Sequence, residues 1–578
     1  MARPAPAAGF REEAGQFAFL TRHFFGRLFR NEIVDFEDQM KERLIAVLAV
    51  LAIIIFWSAE TLLFKYYFVP DTNVSWQEKT YILTLVMIIF GIVTLLEWDV
   101  LFPDRQDFLN LTPLPVRMRT IFVGKLASFV LFIGLFSVAM NSGAAVLFSM
   151  YLAPWRGEGD LVFGARYAAS HLVAAFAACA FVFFACVFLQ FLLMAVLPGR
   201  LYRRLSFLVR GVLLCGFIFL LLAFFFEPAL LDGSFRSLPG LKESGEAFFY
   251  RFPPFWFVGL YEKLLGSPDP AFGPLANSAV LALVMALAGF IAASGLTYRR
   301  HIGKTLETER GRSGLGGLRE AWEGLFGRAA LRGPEERAVY GFFSRTLRSS
   351  QKQRISMVTY LAVAGAVIML YLMIGRQGFR DLSPGNTALL AQPLVLALIL
   401  LAGLRSVVNT PAWPKANWVF EVTETGRTRH YVTGLKKGIL FRWLVPLAGL
   451  VFASHLLIWP AGTALRHAVF VLVVSGLAME AFFRHFRKVP FACSFVPGKF
   501  KFHVWVMPLA VLFLAFLALV SRLEKALLPS PSAFALFLAA AAGLWLAVHL
   551  GNRRFYSRTL LLFEDEPEPA MVTFPERS

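Results

Sequence analysis

Charge is scarce in this chain: of its 578 residues only 16% are Asp, Glu, Lys or Arg. A soluble globular chain carries about a quarter, so a soluble enzyme or binding module is excluded and no soluble domain of useful size is left over. Acids are the scarcer sign, 38 against 57 basic residues, which leaves a formal net charge of +19. Cysteine is scarcer still. Cys179, Cys186, Cys215 and Cys493 form no CxxC pair and no His/Cys metal spacing. Three of them fall inside apolar runs, where a thiol acts as a small hydrophobe, so they carry no information about redox compartment. The chain also lacks HExxH, GxSxG and any carboxylate cluster with metal spacing. No catalytic residue and no metal site is therefore expected. Gly303-Lys304-Thr305 imitates a phosphate-binding loop, but such a loop needs glycine where Tyr298 stands, with a strand before it. The chain has no ATPase site of its own, and no cofactor is expected in it. A cleavable signal peptide is missing too, because the first 40 residues are too polar and the first apolar run begins near Leu44.

What the chain has in quantity is apolar length, with 57% hydrophobic residues. A membrane helix needs about 20 mostly apolar residues. Candidates lie near 44–64, 81–101, 122–150, 169–196, 206–226, 276–297, 356–374, 388–408, 439–459, 466–483, 504–521 and 533–550. The expected fold is all-α and polytopic, with about twelve spans embedded in a lipid bilayer. The basic residues gather in alternate connectors. Thirteen lie in 298–354, Arg200, Arg203, Arg204 and Arg210 follow span four, and Arg484, Arg487, Lys488, Lys499 and Lys501 follow span ten. The connectors between are poor in them: 66–79 has only Lys79, and 153–167 only Arg156 and Arg166. Basic connectors stay on the cytoplasmic side, which accounts for the net charge without a nucleic-acid partner and places both termini in the cytoplasm.

Three short patterns occur twice in the same order. Phe24-Phe25-x-Arg27-x-x-Arg30 returns as Phe342-Phe343-x-Arg345-x-x-Arg348. Arg117-x-Arg119 with Gly124-Lys125 beyond it returns as Arg427-x-Arg429 with Gly434 at the same offset, then Lys436-Lys437. Pro198-Gly199-Arg200 returns as Pro497-Gly498-Lys499. Repetition of this kind marks a duplicated architecture. The expected plan is an amphipathic elbow segment at 1–42, a first six-helix half at 43–300, a linker with a second elbow at 301–354, a second half at 355–552, and a tail at 553–578 that reads as disordered. Six spans per half make the halves parallel. The aromatic-basic run Phe17–Arg30 suits a helix lying in the membrane surface. The linker stretch 305–336 reads as containing a short surface helix. The aromatic, proline-rich run Arg251–Phe257 reads as an interfacial anchor by default, and in a sharper reading as a short re-entrant element or exit gate.

Ionisable residues inside spans are costly and form a second group of candidates. Glu480 is the deepest, within a turn of Arg484. Glu60 lies towards the outer end of span one, Glu97 and Asp99 at the inner end of span two near Arg105, and His455 in span nine. Each also has a plainer reading as a snorkelling or locally paired side chain. Nothing in the sequence forms a continuous proton relay.

The segment Leu114-Pro115-Val116-Arg117-Met118-Arg119-Thr120-Ile121-Phe122-Val123-Gly124-Lys125 resembles the LPVSRRTIFLGK stretch of ABC-2 type (type V-like) transporter permeases. In that family the stretch lies between spans two and three, beside the coupling helix that touches a separate ATPase. The family unit has six spans with an elbow helix in front. Phe252-Pro253-Pro254-Phe255-Trp256 is similar to its aromatic outer segment before span six. The second half keeps the basic spacing, with Trp418 placed as Phe108 is, but lacks the Leu-Pro pair. The resemblance implies an exporter permease whose Pro115, Arg117, Arg119 and Lys125, with Arg427, Arg429 and Lys436 opposite, meet ABC ATPase subunits that carry ATP and Mg. Its implied place is the bacterial inner membrane. Its apolar spans favour a hydrophobic or amphiphilic cargo over an ion. Two alternatives share the pattern: an ATP-independent secondary transporter of 6+6 architecture, which would lack the Gly-x-x-x-Asp-Arg-x-Gly loop of the major facilitator class here, and a non-transporting membrane scaffold.

Overall fold

The computed structural model describes residues 6–29, 37–68, 75–97, 116–154, 161–226, 250–301, 331, 333–374, 381–412, 417–422, 428–492, 502–559 and 561–562. Among these the only β-pairing is one isolated bridge, Lys488 to Leu562, and everything else regular is helical. Eleven helical segments are long and apolar enough to cross a membrane. Helices keep every backbone hydrogen bond inside the segment, which is what a bilayer demands. The protein is an all-α polytopic membrane protein. Its chain divides into two compact units, Met1–Glu309 and Arg310–Ser578.

Unit 1 contains α1 (Pro6–Phe29), α2 (Glu37–Leu63), α3 (Trp76–Leu96), α4 (Met118–Leu152), α5 (Leu161–Val196), α6 (Gly199–Phe226), α7 (Pro253–Leu265) and α8 (Phe272–His301). Unit 2 contains α9 (Pro334–Ser349), α10 (Gln351–Ile374), α11 (Thr387–Asn409), α12 (Asn417–Val422), α13 (Thr428–Ile439), α14 (Val445–His455), α15 (Ala461–Phe482), α16 (Phe502–Leu527) and α17 (Pro531–Tyr556). Several packing pairs recur in the two units, although the extensive contact of α2 with α4 in unit 1 has no comparable pair in unit 2 among the described residues. In unit 1, α1 lies on α4, α2 on α3, α3 on α5 and α6, α4 on α5, and α5 on α8. In unit 2, α9 lies on α13, α10 on α11, α11 on α15 and α16, α14 on α15, and α15 on α17. Both units therefore place an elbow helix on the third span and the second span at the centre. The central helices are the most enclosed, with Ile82, Leu85, Val86 and Phe90 of α3 and Leu390, Leu394, Val395 and Leu401 of α11 all at 0–4% exposure. Such residues supply the close packing that holds helices together where lipid offers no hydrophobic drive.

Cross-links within unit 1 show which helix ends lie together. Arg210, three turns into α6, donates to the Leu96 carbonyl at the end of α3 (3.0 Å), a cation placed where a helix C-terminus is negative. Thr297 near the end of α8 bonds the Phe191 carbonyl near the end of α5 (3.2 Å). At the opposite ends, Tyr151 of α4 donates to Glu60 of α2 (2.9 Å). One end of the unit gathers the basic residues and is called the basic end below; the other is the far end.

Several boundaries differ from the sequence expectation. Span nine, expected at 439–459, begins at Thr428 and ends at His455. A π-helical turn, Leu440–Leu444, interrupts it just before α14. Pro446 of α14 has no N–H for the Arg442 carbonyl, and a widened turn is the usual relief. Span two ends at Leu96, five residues early, with Glu97 as its C-cap. The expected span at 504–521 lies in α16, whose last two turns carry Arg522, Glu524 and Lys525. The second elbow, expected within 301–354, runs from Pro334 to Ser349. Gly333 precedes it in extended geometry, Pro334 occupies its first turn, and Glu335 and Glu336 complement its N-terminal dipole. Most of the stretch 305–336, where a surface helix was expected, lies outside the described residues (305–330), as do Cys493 and the tail beyond Leu562, whereas residues 553–556 of the expected tail complete α17. Cys179 and Cys186 are buried, and Cys215 is half-buried.

The aromatic run at 251–257 opens α7, which is packed into unit 1 and not laid on its surface. Phe255, Phe257 and Tyr261 are at 0–2% exposure. The helix runs antiparallel to α5. Its Trp256 and Phe257 rings reach Phe181 (6.0 and 5.6 Å between centroids), while Arg166 bonds the Leu264 carbonyl at its other end (2.9 Å). Gly266 ends the helix in the left-handed conformation (φ +77°), where a Cβ is costly. Gly259 lets α7 meet α8 backbone to backbone: an added Cβ would lie 2.4 Å from Leu275 Cβ and 2.9 Å from the Ala276 nitrogen.

Candidate functional site

The repeated basic motif becomes a repeated junction between elbow and third span. In unit 1, Arg117 is the extended N-cap of α4 and is exposed. Nearly two turns into α4 stands Gly124, whose missing Cβ would sit 3.3 Å from Leu20 Cβ of α1. Lys125 beside it is half-buried, with its ammonium 5.9 Å from the Phe24 and Phe129 rings. Phe24, from the repeated Phe-Phe pattern, is buried at 5%. The motif thus joins its two halves in space, with the elbow aromatic under the lysine of the third span. Pro115 and the side chain of Arg119 lie outside the described residues.

In unit 2 the crossing is tighter. A Cβ on Gly434 would lie 2.8 Å from the Glu336 carbonyl oxygen of α9. Phe343, from the returned Phe-Phe pattern, is fully buried. Glu336 is tied back to α13 by Lys437 (2.7 Å), with His430 at 3.8 Å. Arg429 is half-buried, and Arg427 lies outside the described residues.

Lys436 departs from its expected role on a docking surface. It is 8% exposed and turned inward, where its ammonium meets Glu480 at 2.6 Å and lies over the Tyr556 ring at 5.5 Å. Glu480 also accepts from Asn552 (2.7 Å), and His549 lies 3.8 Å away. Glu480 is therefore matched by a lysine from α13 and an amide from α17, and no ion pair joins it to Arg484 among the described residues. Tyr556 donates to the Phe483 carbonyl (2.6 Å) and closes the knot. A buried pair with added hydrogen bonds has its desolvation offset, and this one fastens the third, fourth and sixth spans of unit 2.

The chain matches no protein-family model, no curated protein and no solved structure. The functional reading therefore rests on its own residues.

The remaining intramembrane candidates separate. Glu60 is held by Tyr151 at the far end of unit 1. Glu97 caps α3, and Asp99 lies outside the described residues. His455 belongs to a cluster in unit 2: its ring is 4.5 Å from that of Trp459 and 4.6 Å from that of His467. His467 in turn meets Glu524 at 2.5 Å, both side chains fully enclosed. Unit 1 has its own enclosed far-end cluster. Lys79 and Glu262 pair at 2.5 Å with 0 and 1% of their side chains exposed. The Lys79 ammonium lies 4.7 and 4.6 Å from the Tyr167 and Tyr261 rings, and His171 stacks on Phe148 (5.0 Å) beside Tyr261.

Sequence reading missed Glu262, His171, His467, Glu524 and Asn552, and saw Lys79 only as a connector charge. A signal existed for two of them. Glu262 follows Phe255 and Val258 at helical spacing, and Glu524 follows Leu517 and Val520 in the same way, so each acid continues a buried stripe. Among the described residues no group of His, Cys, Asp and Glu is arranged to hold a metal ion.

Proposed function

We propose that this membrane protein is the permease subunit of an ABC-type exporter, coupled at its basic end to separately encoded ATPase subunits. The observation that carries this reading is the elbow–third span junction, present once in each unit with a glycine at the crossing. A close crossing makes the elbow and the head of the third span move as one piece, so a push on the exposed start of α4 would pass into the bundle. Arg117, Arg119 and Lys125 form the contact surface in unit 1, with Arg429 and Arg427 in unit 2; Lys436 is an internal strut. ATP and Mg would bind the partner only. The partner can drive a change of state only by binding the two states differently. The basic end then faces the cytoplasm of a bacterial inner membrane, with both termini there, and the cargo is hydrophobic or amphiphilic.

The test is charge reversal. Arg117→Glu with Arg119→Glu lowers co-purification of the ATPase from lipid by about tenfold or more, in keeping with the loss of charged interface contacts. Co-purification equal to the unaltered chain would count against the assignment. The enclosed acid clusters favour one second reading, an ATP-independent secondary transporter, since intramembrane acids often mark ion pathways. Transport that survives ATP depletion and collapses with the ion gradient would select it.

A further inference from the structure

The fourth span of each unit carries one fully enclosed histidine towards its far end, His171 in α5 and His467 in α15. Each stands among aromatic rings near an enclosed carboxylate. In unit 1 that acid is Glu262, matched by the permanent cation of Lys79. In unit 2 it is Glu524, whose sole polar contact among the described residues is His467. Glu524 Oε2, His467 Nε2 and His455 Nε2 are enclosed with no hydrogen-bond partner there. A buried ion pair without supporting hydrogen bonds is poorly compensated. A buried carboxylate with no cation at all is worse.

We propose that His467 and Glu524 form a proton-binding site at the far end of unit 2, which holds one shared proton at neutral pH and gives it up to water as the solution turns alkaline. The shared proton is additional to the imidazole's own. On His467 Nδ1 it makes imidazolium and carboxylate; on Glu524 Oε1 it makes imidazole and carboxylic acid. Both arrangements are net neutral. When hydroxide takes the proton, forming water, Glu524 remains as a lone carboxylate facing a neutral ring. That state is relieved by admitting water from the far end.

The way out is short. Glu524 lies one turn before the end of α16, and Trp459 covers His467 (5.4 Å between centroids). Trp459 is itself held by a bond from its indole N–H to the Leu382 carbonyl (2.6 Å) in the loop before α11. Removal of the proton therefore moves Trp459 and loosens that loop. The other charged or titratable groups on the surrounding elements are Tyr371 on α10, Arg466 on α15, Arg522 and Lys525 on α16, and Asp381 in the loop; none of them bonds to the pair. Asp381 has its carboxyl held below the usual range by the Ser383 hydroxyl and then by the Ser383 N–H, so it stays charged across the window. Among the described residues His455 is the other imidazole in contact with His467.

Trp459 reports on the site. The full chain in lipid nanodiscs is titrated from about pH 5 to about pH 10, a range that brackets documented buried carboxylates. Emission of the Trp459→Phe variant is subtracted to isolate Trp459. The expected result is a single-proton step in the difference spectrum with an infrared change at the same midpoint: loss of a carboxylic-acid band where the proton sits on Glu524, or of an imidazolium band where it sits on His467. The step disappears in Glu524→Gln and shifts in the milder Glu524→Asp. A flat difference spectrum in the unaltered chain overturns the proposal, and so does an unchanged step in Glu524→Gln. If Glu524→Gln fails to fold, the infrared band and the Glu524→Asp midpoint decide: a step without an infrared change, or an unmoved midpoint, overturns it.

Discussion

At the scale of single residues, the chain handles its buried charges in three ways. Lys436 and Glu480 have each other, an amide and a tyrosine ring. Lys79 and Glu262 have each other and two tyrosine rings. Glu524, among the described residues, has only an imidazole. The first arrangement makes a clear prediction. Glu480→Leu alone leaves the Lys436 charge enclosed and costs about 3–5 kcal/mol, whereas Glu480→Leu with Lys436→Met restores most of that, because an apolar pair of similar volume is often neutral or better. Thermal unfolding of the purified chain in lipid, read as a double-mutant cycle, checks it. Equal losses in the single and double variants would show that the pair is not a closed unit. These side chains also explain what sequence could not reveal. A lysine inside a positive-inside connector looks like an anchor, and only the fold shows that Lys436 points back into the bundle.

At the scale of elements, glycine sets how near the elbow comes to the third span. The two junctions are not equal. At Gly124 the neighbour is a side-chain carbon at 3.3 Å, which can give slightly; at Gly434 it is helix backbone at 2.8 Å, which cannot. Gly434→Ala should therefore destabilise by about 1–3 kcal/mol through overpacking, and Gly124→Ala by clearly less. Gly259→Ala belongs with the former, since α7 meets the α8 backbone there. Thermal melts of the three variants give the order, and a cost at Gly124 matching that at Gly434 would refute the geometry. The elbows and spans were readable beforehand because apolar length and aromatic-basic mixing are coarse signals. Their starts were not. Residues 428–438 are too polar to read as part of a span, yet Tyr431, Val432 and Leu435 on one face are enclosed by α9 and its neighbours. Likewise, the run at 251–257 looks interfacial by composition, and only the glycine-mediated approach to α8 explains its burial.

At the scale of the whole molecule, the two units share several packing pairs in the same helix order, while the contact of α2 with α4 and the helix α7 belong to unit 1 alone among the described residues. Orientation is open to a direct check. Ser532 and Ser557 are exposed and lie at opposite ends of α17. In a cysteine-free background, Ser532→Cys should react with a membrane-impermeant maleimide added to intact cells, and Ser557→Cys should react only after the membrane is opened. The reverse pattern would place the basic end outside and remove the docking proposal with it. The repeat is legible in three short patterns and faint elsewhere. The π turn at Leu440–Leu444 supplies one cause, since α4 runs from Met118 to Leu152 without such a turn. A widened turn adds a residue to the helix, and each residue of an α-helix advances about 100°. Past that point the copies are out of phase, so equal offsets in sequence no longer mean equal faces. Two stretches of the same ancestry would then have aged under different surroundings, one looking at lipid where its twin looks at protein, and their resemblance would erode first beyond that turn.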